Sequence, residues 1–384
     1  MNTPASNRDA VSFSRQAAGF SLVEIMVALV AGLLLSAGIG QVYLATKKTY
    51  KVQEQMSRLQ ENARYALSRI SRDISMAGSV GCTSRTPNTI VNTLNDSANL
   101  FYNFATRIQG FEAMGTSPTE TYSITATNPA PSGATTQWSP RLPAETPDTI
   151  LGSDLLVVRG RVDEGAPPVL AAVTPDLATA SPAIANLEAG DFVMVADCGT
   201  SYVFQAGSAG AAMTHTNAGT PGNAVPTWAY NTPPSSLALP GNAPAEVSKV
   251  ASTLYYLSRR DDHPEDGPSF YGKSIDSGTN THGEGLVEGV ESMQVLYGVN
   301  TGATIQYLTA PDVDALPVVK GANGWNQVVS VRIGLLVRTV DEVRSDMDTQ
   351  VYDVNGTFID PVDDRRLRQV FTTTIAVRNG IQTQ

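Results

Sequence analysis

Residues 19–45 read GFSLVEIMVALVAGLLLSAGIGQVYLA, an apolar run from Phe20 to about Ala45 that contains one charged residue, Glu24. About 20 apolar residues cross a bilayer as a helix, so this stretch is long enough to do so. Residues 1–19 are polar and carry Arg8 and Arg15 against Asp9. A basic flank stays on the cytoplasmic side, so a single crossing is expected, with everything after Lys47 exported. A cleaved secretory signal also starts basic, but its apolar region is only about 7–15 residues, with small residues at a cleavage site behind it. Here the small residues Ser36, Ala37 and Gly38 lie inside the run.

Downstream the helical pattern continues. From Lys47 to Ala77 there is no proline and no glycine, and Val52, Met56, Leu59, Ala63, Leu67, Ile70, Ile74 and Ala77 recur at steps of three or four. That period lays one apolar stripe along a helix, with Lys51, Glu54, Arg58, Glu61, Arg64 and Arg72 largely off it. Gly78 and Gly81 supply the stop. Residues 20–77 would then form one rod of roughly 87 Å at about 1.5 Å per residue. Its first half belongs in lipid or a filament core, and its second half on a globular head.

The remainder reads as β structure set in long loops. Strand candidates rich in β-branched or aromatic residues are Asp154 to Val162, Asp191 to Ala196, Ser201 to Gln205, Ser252 to Arg259, Val290 to Val299, Val328 to Val340 and Gln369 to Val377. The segment Ser330 to Arg338 alternates only in part, as a strand covered on both faces over its middle does. Segments 83–150 and 206–250 are crowded with Thr, Ser, Pro, Asn, Gly and Ala. Loops of that length are functional, disordered or hide short strands.

Composition narrows the function. Lys and Arg number 26 against 36 Asp and Glu, a net charge of −10, whereas a protein that coats nucleic acid shows a basic footprint. General nucleic-acid binding is therefore not expected. His215, His263 and His282 lack metal-ligand spacing, and neither Cys82 nor Cys198 has a second cysteine nearby. There is no phosphate-binding GxxxxGK[ST] loop, and the Gly207 to Gly210 segment lacks a following helix. Asp261-Asp262 with Glu265-Asp266, and Asp353, Asn355 and Asp360 with Asp363-Asp364, offer oxygen ligands but miss the spacing of the twelve-residue calcium loop. Asn355-Gly356 is a good hairpin signal instead. No catalytic residues, metal or cofactor are expected.

The junction Gly19-Phe20-Ser21-Leu22-Val23-Glu24, followed at once by the apolar run, resembles the leader of type IV pilins and pseudopilins. That resemblance implies cleavage after Gly19 by a prepilin peptidase, with Phe20 as the new, N-methylated terminus. The blocks Glu61-Asn62-Ala63-Arg64-Tyr65-Ala66-Leu67, Arg72-Asp73-Ile74, Met76-Ala77-Gly78 and Gly81-Cys82 are similar to the PilW family of minor pilins. The similarity resumes at Gly190-Asp191, Asp197-Cys198, Leu286 to Glu291 and Tyr297-Gly298-Val299.

The implied fold is α+β and type IV pilin-like, a long N-terminal helix packed on an antiparallel β-sheet head with long loop insertions. It places a leader at 1–19, a transmembrane or filament-core helix at 20–46, the extramembrane half of that helix at 47–78 and the head at 79–384. The implied protein is anchored once in the bacterial inner membrane, with its head in the periplasm until it enters the pilus. Its implied partners are other minor pilins, the major pilin, prepilin peptidase, the inner-membrane assembly machinery and the lipid bilayer. Its implied task is to join a minor-pilin complex that primes fibre assembly, with the fibre tip as a further expectation. A type II secretion pseudopilin shares leader and rod, and an anchored periplasmic enzyme or adhesin is the reading from another class.

Two site expectations follow. Cys82 and Cys198 lie on the oxidising side, where exported thiols pair. A loop of more than 100 residues closed by such a disulfide is worth about 4.7 kcal/mol in the chain-entropy model. Glu24 costs about 2.5–3.5 kcal/mol at a bilayer centre, but it lies about one turn from the cytoplasmic face. In a fibre it needs a partner, and the resemblance supplies the amino group of Phe20, of its own or a neighbouring subunit. A charge left alone in a low-dielectric core is costly, so such a pair sets register during assembly rather than adding much net stability. Gly32, Gly38 and Gly40 each cost about 1 kcal/mol of helix propensity relative to alanine, so the helix is expected to loosen there in a fibre. Small residues also let membrane helices approach closely.

Overall fold

In a computed structural model of the chain, helix α1 runs unbroken over Leu22–Met76. The structure describes residues 19–79, 90–125, 131–132, 135–162, 166–174, 177–196, 201–224, 245–259, 267–278, 283–301, 304–319 and 323–378. The chain divides into two compact units, one up to Gln53 and one from Glu54 onward.

In the first unit α1 passes through Gly32, Gly38 and Gly40 without a break, and a Cβ added at any of them would meet nothing within 4 Å. In the second unit the helix buries Gln55, Leu59, Ala63, Ala66, Ile70 and Ile74. These residues recur at steps of three or four and form one stripe. Leu59, Ala63, Ile70, Ile74 and Ala77 are the buried members foreseen from the period, while Met56 and Leu67 are half-buried. Gln55 joins the stripe although it is polar, with its side-chain amide turned toward the Asp341 carboxylate 3.5 Å away.

The helix stops where glycine predicts. Gly78 has φ +64°, a left-handed conformation that closes a helix end, and the Ser79 N–H donates to the Met76 carbonyl at 3.0 Å. Gly78 N–H then donates to the carbonyl of Arg159 at 3.0 Å, tying the helix end to the head. No basic residue lies in the last helical turn, but the Arg107 side chain packs over Gly78. The aliphatic part of Arg107 covers the helix end, and its guanidinium donates to the Asn326 carbonyl at 2.6 Å.

Six short strands follow: β1 (Ile90–Asn92), β2 (Ile108–Ala113), β3 (Thr121–Ser123), β4 (Pro131–Ser132), β5 (Trp138–Ser139) and β6 (Thr149–Ile150). Next come β7 (Leu155–Arg161), β8 (Val169–Thr174), β9 (Leu177–Ser181), β10 (Phe192–Ala196), β11 (Ser201–Gln205) and β12 (Ala212–Thr214). The last third holds β13 (Glu246–Arg259), β14 (Pro268–Ile275), β15 (Gly283–Glu288), β16 (Val290–Asn300) and β17 (Ile305–Leu308). A short helix α2 (Ala310–Asp314) precedes β18 (Val328–Arg338), β19 (Tyr352–Val354), β20 (Thr357–Asp360) and β21 (Arg368–Ala376).

A 12-stranded sheet follows the path β1-β11-β10-β13-β7-β2-β5, with β14, β15, β8, β9 and β12 attached beside it. A 4-stranded sheet has the order β17-β16-β18-β21 and forms much of the core with the helix stripe. Pairing is antiparallel except for β1 with β11 and β3 with β20. The seven expected strands are present, and β13 begins earlier than expected because its first residues pair with β10 and β8. The loop-like stretches 83–150 and 206–250 conceal β1 to β6, β12 and the start of β13. Strand β14, with a proline, a glycine and two serines in its eight residues, was invisible to a propensity reading and owes its form to pairing with β13 and β15.

Strand β18 explains its own broken alternation. Val331, Ile333, Leu335 and Val337 face the core shared with Ile70 and Ile74, whereas Leu336 on the other face meets Tyr352, Val354 and Ile359 of the β19–β20 hairpin. That hairpin turns on Asn355 (φ +60°) and Gly356 (φ +95°), the conformation that favours Asn-Gly.

Candidate functional site

The N-terminal unit presents its apolar side chains to the outside. Phe20 is 77% exposed, and Leu22, Val23, Ile25, Met26, Leu33 and Leu34 all exceed half exposure. An 18-residue window of this helix has a mean hydropathy of 2.4 and buries none of its residues, so length and composition suit it to crossing a membrane. A continuous apolar surface of this kind marks contact with lipid or with other helices.

The helix start is defined locally. Ser21 Oγ accepts from the Glu24 N–H at 3.2 Å, and the Ser21 carbonyl accepts from the Ile25 N–H at 3.2 Å. Ser21 is thus the N-cap and Glu24 the third helical residue, the spacing of a capping box. An acid in the first turn also suits the positive end of the helix dipole. The signal for the cap is local, a serine followed three residues on by a glutamate in Ser21-Leu22-Val23-Glu24. Beyond that backbone bond, Glu24 has no side-chain partner among the described residues.

The second unit treats its charges differently. Arg368, with a fully buried side chain, donates to both oxygens of Glu291 at 2.6 and 3.2 Å, to Asp364 at 2.8 Å and to Asp348 at 3.2 Å. Arg338 adds a bond to Glu291 at 3.0 Å, and Arg344 and the Tyr352 hydroxyl bond Asp348 at 2.8 and 2.7 Å. Burial opposes the Asp364 charge, but hydrogen bonds from Arg368 and Arg366 hold its carboxyl below the ordinary carboxylate range. The network fastens the long β18–β21 connection to the rim of β16. Of the acids that looked like cation ligands in sequence, Asp364 is a counter-charge of this network, while Asp353 accepts the Gly356 N–H and Asp360 accepts from the Ser123 hydroxyl. Among the described residues no group of three or more His, Cys, Asp or Glu is placed to hold a metal ion.

A second buried acid joins two sheets. The Asp154 carboxylate accepts from the Ala113 N–H of β2 at 2.9 Å and from the Val295 N–H of β16 at 2.8 Å. Burial raises its pKa, and burial together with the neighbouring Asp154 raises that of Glu112. Tyr297, fully buried beside both, stacks edge-on against Trp325 with centroids 5.0 Å apart. Arg159 is buried as well, donating to the carbonyls of Leu100 and Thr106 and to the Gln109 amide oxygen, and burial pulls its pKa down to about 9.

His215 is buried with its ring 3.1 Å from the Thr93 hydroxyl and edge-on to Phe204; burial pulls its pKa down to about 4. Such a residue is a neutral core histidine rather than a base near neutrality. His263, His282, the 261–266 acids and both cysteines, Cys82 and Cys198, lie outside the described residues. Gly19, Phe20 and Glu24 lie together at the start of α1.

Residues 254–379 match the family described as Type IV Pilus-assembly protein W, PilW, and residues 14–40 match the prokaryotic N-terminal methylation motif. The first match contains Glu291, Arg338, Asp348, Asp364 and Arg368, and the second contains Gly19, Phe20 and Glu24. Among solved structures, a type IV-like pilin from Thermus thermophilus is similar at 15% identity with a TM-score of 0.22, over 35% of this chain and 70% of that one. No curated protein matches.

Proposed function

We propose that this chain, a type IV pilin of the PilW type, is a minor pilin that joins other low-abundance pilins in a complex priming fibre assembly. The observation that carries the proposal is the start of α1: an exposed apolar run from Phe20 to Ala45 whose one charge, Glu24, lies a turn from the helix start and has no side-chain partner among the described residues. In this reading prepilin peptidase cuts after Gly19 and Phe20 becomes the methylated terminus. The helix sits in the inner membrane with the head on the periplasmic side. On assembly the helices bundle, and Glu24 pairs with a Phe20 amino group, which penalises wrong registers because either charge alone in a dry core is costly.

The same reading pairs Cys82 with Cys198. Its support is the parallel pairing of β1 and β11, in which Ile90 lies opposite Ser201, so the segments leading in from both cysteines arrive at the same end of the sheet.

The test is Glu24→Ala at native expression. Insertion and leader cleavage should stay normal while fibres fall by about tenfold or more, the equivalent of about 1.4 kcal/mol of lost pairing. Wild-type piliation would sink the proposal. Deletion of the whole chain should abolish twitching and leave secretion intact; lost secretion with intact pili would favour a pseudopilin instead.

A further inference from the structure

The two edges of the 4-stranded sheet differ. One is β17, only 4 residues long and leading through Thr309 directly into α2 with its Pro311. The other is β21, 9 residues long, and its register with β18 runs from Ser330↔Ala376 to Arg338↔Arg368 without a bulge. From Gln369 to Ala376 it has no charge, no proline and no glycine. Folded proteins blunt exposed edges with short strands, charges, prolines or bulges, because open N–H and C=O groups template pairing with another chain. Strand β21 uses none of these devices over that stretch, and no described strand pairs with its outer side.

Its open groups can be assigned. The Thr339 N–H donates to the Leu367 carbonyl at 2.9 Å, and the Val377 N–H donates to the Val329 carbonyl at 2.9 Å. In an antiparallel ladder a residue's N–H and C=O point the same way, and the direction alternates along the strand. Odd-numbered residues from Leu367 to Val377 therefore face β18. The N–H and C=O groups of Val370, Thr372 and Thr374 point outward.

Beside this edge lies a groove of about 420 Å³ lined by Gln60, Arg64, Leu67, Ser68 and Ser71 of α1 and by Phe371 of β21. Leu67 and Phe371, both partly buried, form its apolar floor, and Arg64 is exposed at its side. We infer that β21 and this groove receive an extended, proline-free strand from a different pilin subunit. The strand continues the sheet, sets an apolar side chain over Leu67 and Phe371, and carries an acidic residue toward Arg64. Backbone pairing would supply affinity and the alternate side chains specificity. Charge argues against a second copy of this chain: β21 contains no acid, so self-pairing would leave Arg64 unanswered. The inference rests on the assembly role proposed above and adds the surface through which it acts.

The test uses the full-length chain, alone in mild detergent and co-purified with its partner pilins, followed by amide hydrogen exchange. The Val370, Thr372 and Thr374 amides should exchange fast in the chain alone and about tenfold or more slowly in the complex. Thr372→Pro removes one outward N–H without touching the β18 ladder, and Ser68→Phe fills the groove from the helix. Each should cut co-purification by about tenfold or more with an unchanged unfolding midpoint. A complex that forms with β21 exchange unaltered, or that keeps both variants, would overturn the inference and leave the pilin role standing. Protection of β21 in the chain alone as concentration rises would overturn it in favour of self-pairing. Failure to form any complex would overturn both readings.

Discussion

Glu24 and Glu291 are both carboxylates set among apolar residues, and the chain handles them in opposite ways. Glu291 is buried between Arg338 and Arg368, 47 and 77 residues away in sequence. Glu24 lies in the first unit's part of α1, where the large apolar side chains are exposed, and its backbone N–H donates to the Ser21 side chain. In the head, the buried charges of Glu291, Asp348, Asp364 and Arg368 answer one another from within the chain. The N-terminal helix instead leaves its apolar side chains exposed, as the assembly role proposed above requires. Stability should therefore reside in the head, and assembly should be sensitive to the helix.

The largest expected effect is at Arg368. Arg368→Ala would strand Glu291, Asp348 and Asp364 without their main cation, and removing one partner of a buried ionic group costs about 3–5 kcal/mol. Urea denaturation of the detergent-solubilised chain would measure it. A loss below about 1 kcal/mol would mean that the network is hydrated and the contrast with Glu24 is weaker than drawn.

Next is a matched pair on one helix. Ile70→Ala opens a cavity in a fully buried site and should cost about 2–4 kcal/mol, while Leu34→Ala, at 70% exposure, should change head stability by less than about 0.5 kcal/mol. Equal losses would erase the distinction between the two halves of α1.

The pH response sharpens the same contrast. Asp154 and Glu112 titrate higher in the folded head than in the unfolded chain, chiefly because they are buried. The folded state thus holds more protons, so their contribution is fully present at acid pH below about 4 and is lost as pH rises through the raised folded values. Unfolding midpoints should therefore decline as pH rises from about 5 into the alkaline range, and Asp154→Asn should flatten the part of that decline below about pH 7. A midpoint that rises over this range would contradict the assignment.

The smallest expected effect is at Glu24 itself. Glu24→Ala should leave head unfolding within about 0.5 kcal/mol of the parent while impairing fibre formation. A destabilised head would show that Glu24 serves folding rather than assembly.

How much was legible follows the distance between partners. The helix was readable over nearly its full length because its signals are local: the apolar run, the stripe through Leu59, Ala63, Ile70 and Ile74, and the stop at Gly78. The Ser21–Glu24 cap is equally local, and in sequence the same glutamate reads both as a lone charge in an apolar run and as the third residue of a capped helix. Strands with β-branched runs were visible, and β14 was not, because its pairing with β13 and β15 outweighs its weak propensity. The Asn355-Gly356 hairpin was legible since its turn needs two left-handed residues that few sequences supply.

By itself, then, the sequence determined the long helix, its apolar first half, its stop at Gly78 and the lone acid, all governed by contacts within about one helical turn or by the apolar character of the run. Only the tertiary structure decided that Arg368 gathers Glu291, Asp348 and Asp364, that Arg107 covers the helix end at Gly78, that Asp154 bridges β2 and β16, and that β21 ends its sheet with an open edge. Glu291, Arg107 and the second amide held by Asp154 meet groups 29 to 141 residues away in sequence. Such partners are selected by the shape of the folded core, where an unanswered charge or N–H is costly, and no local pattern encodes which one it will be.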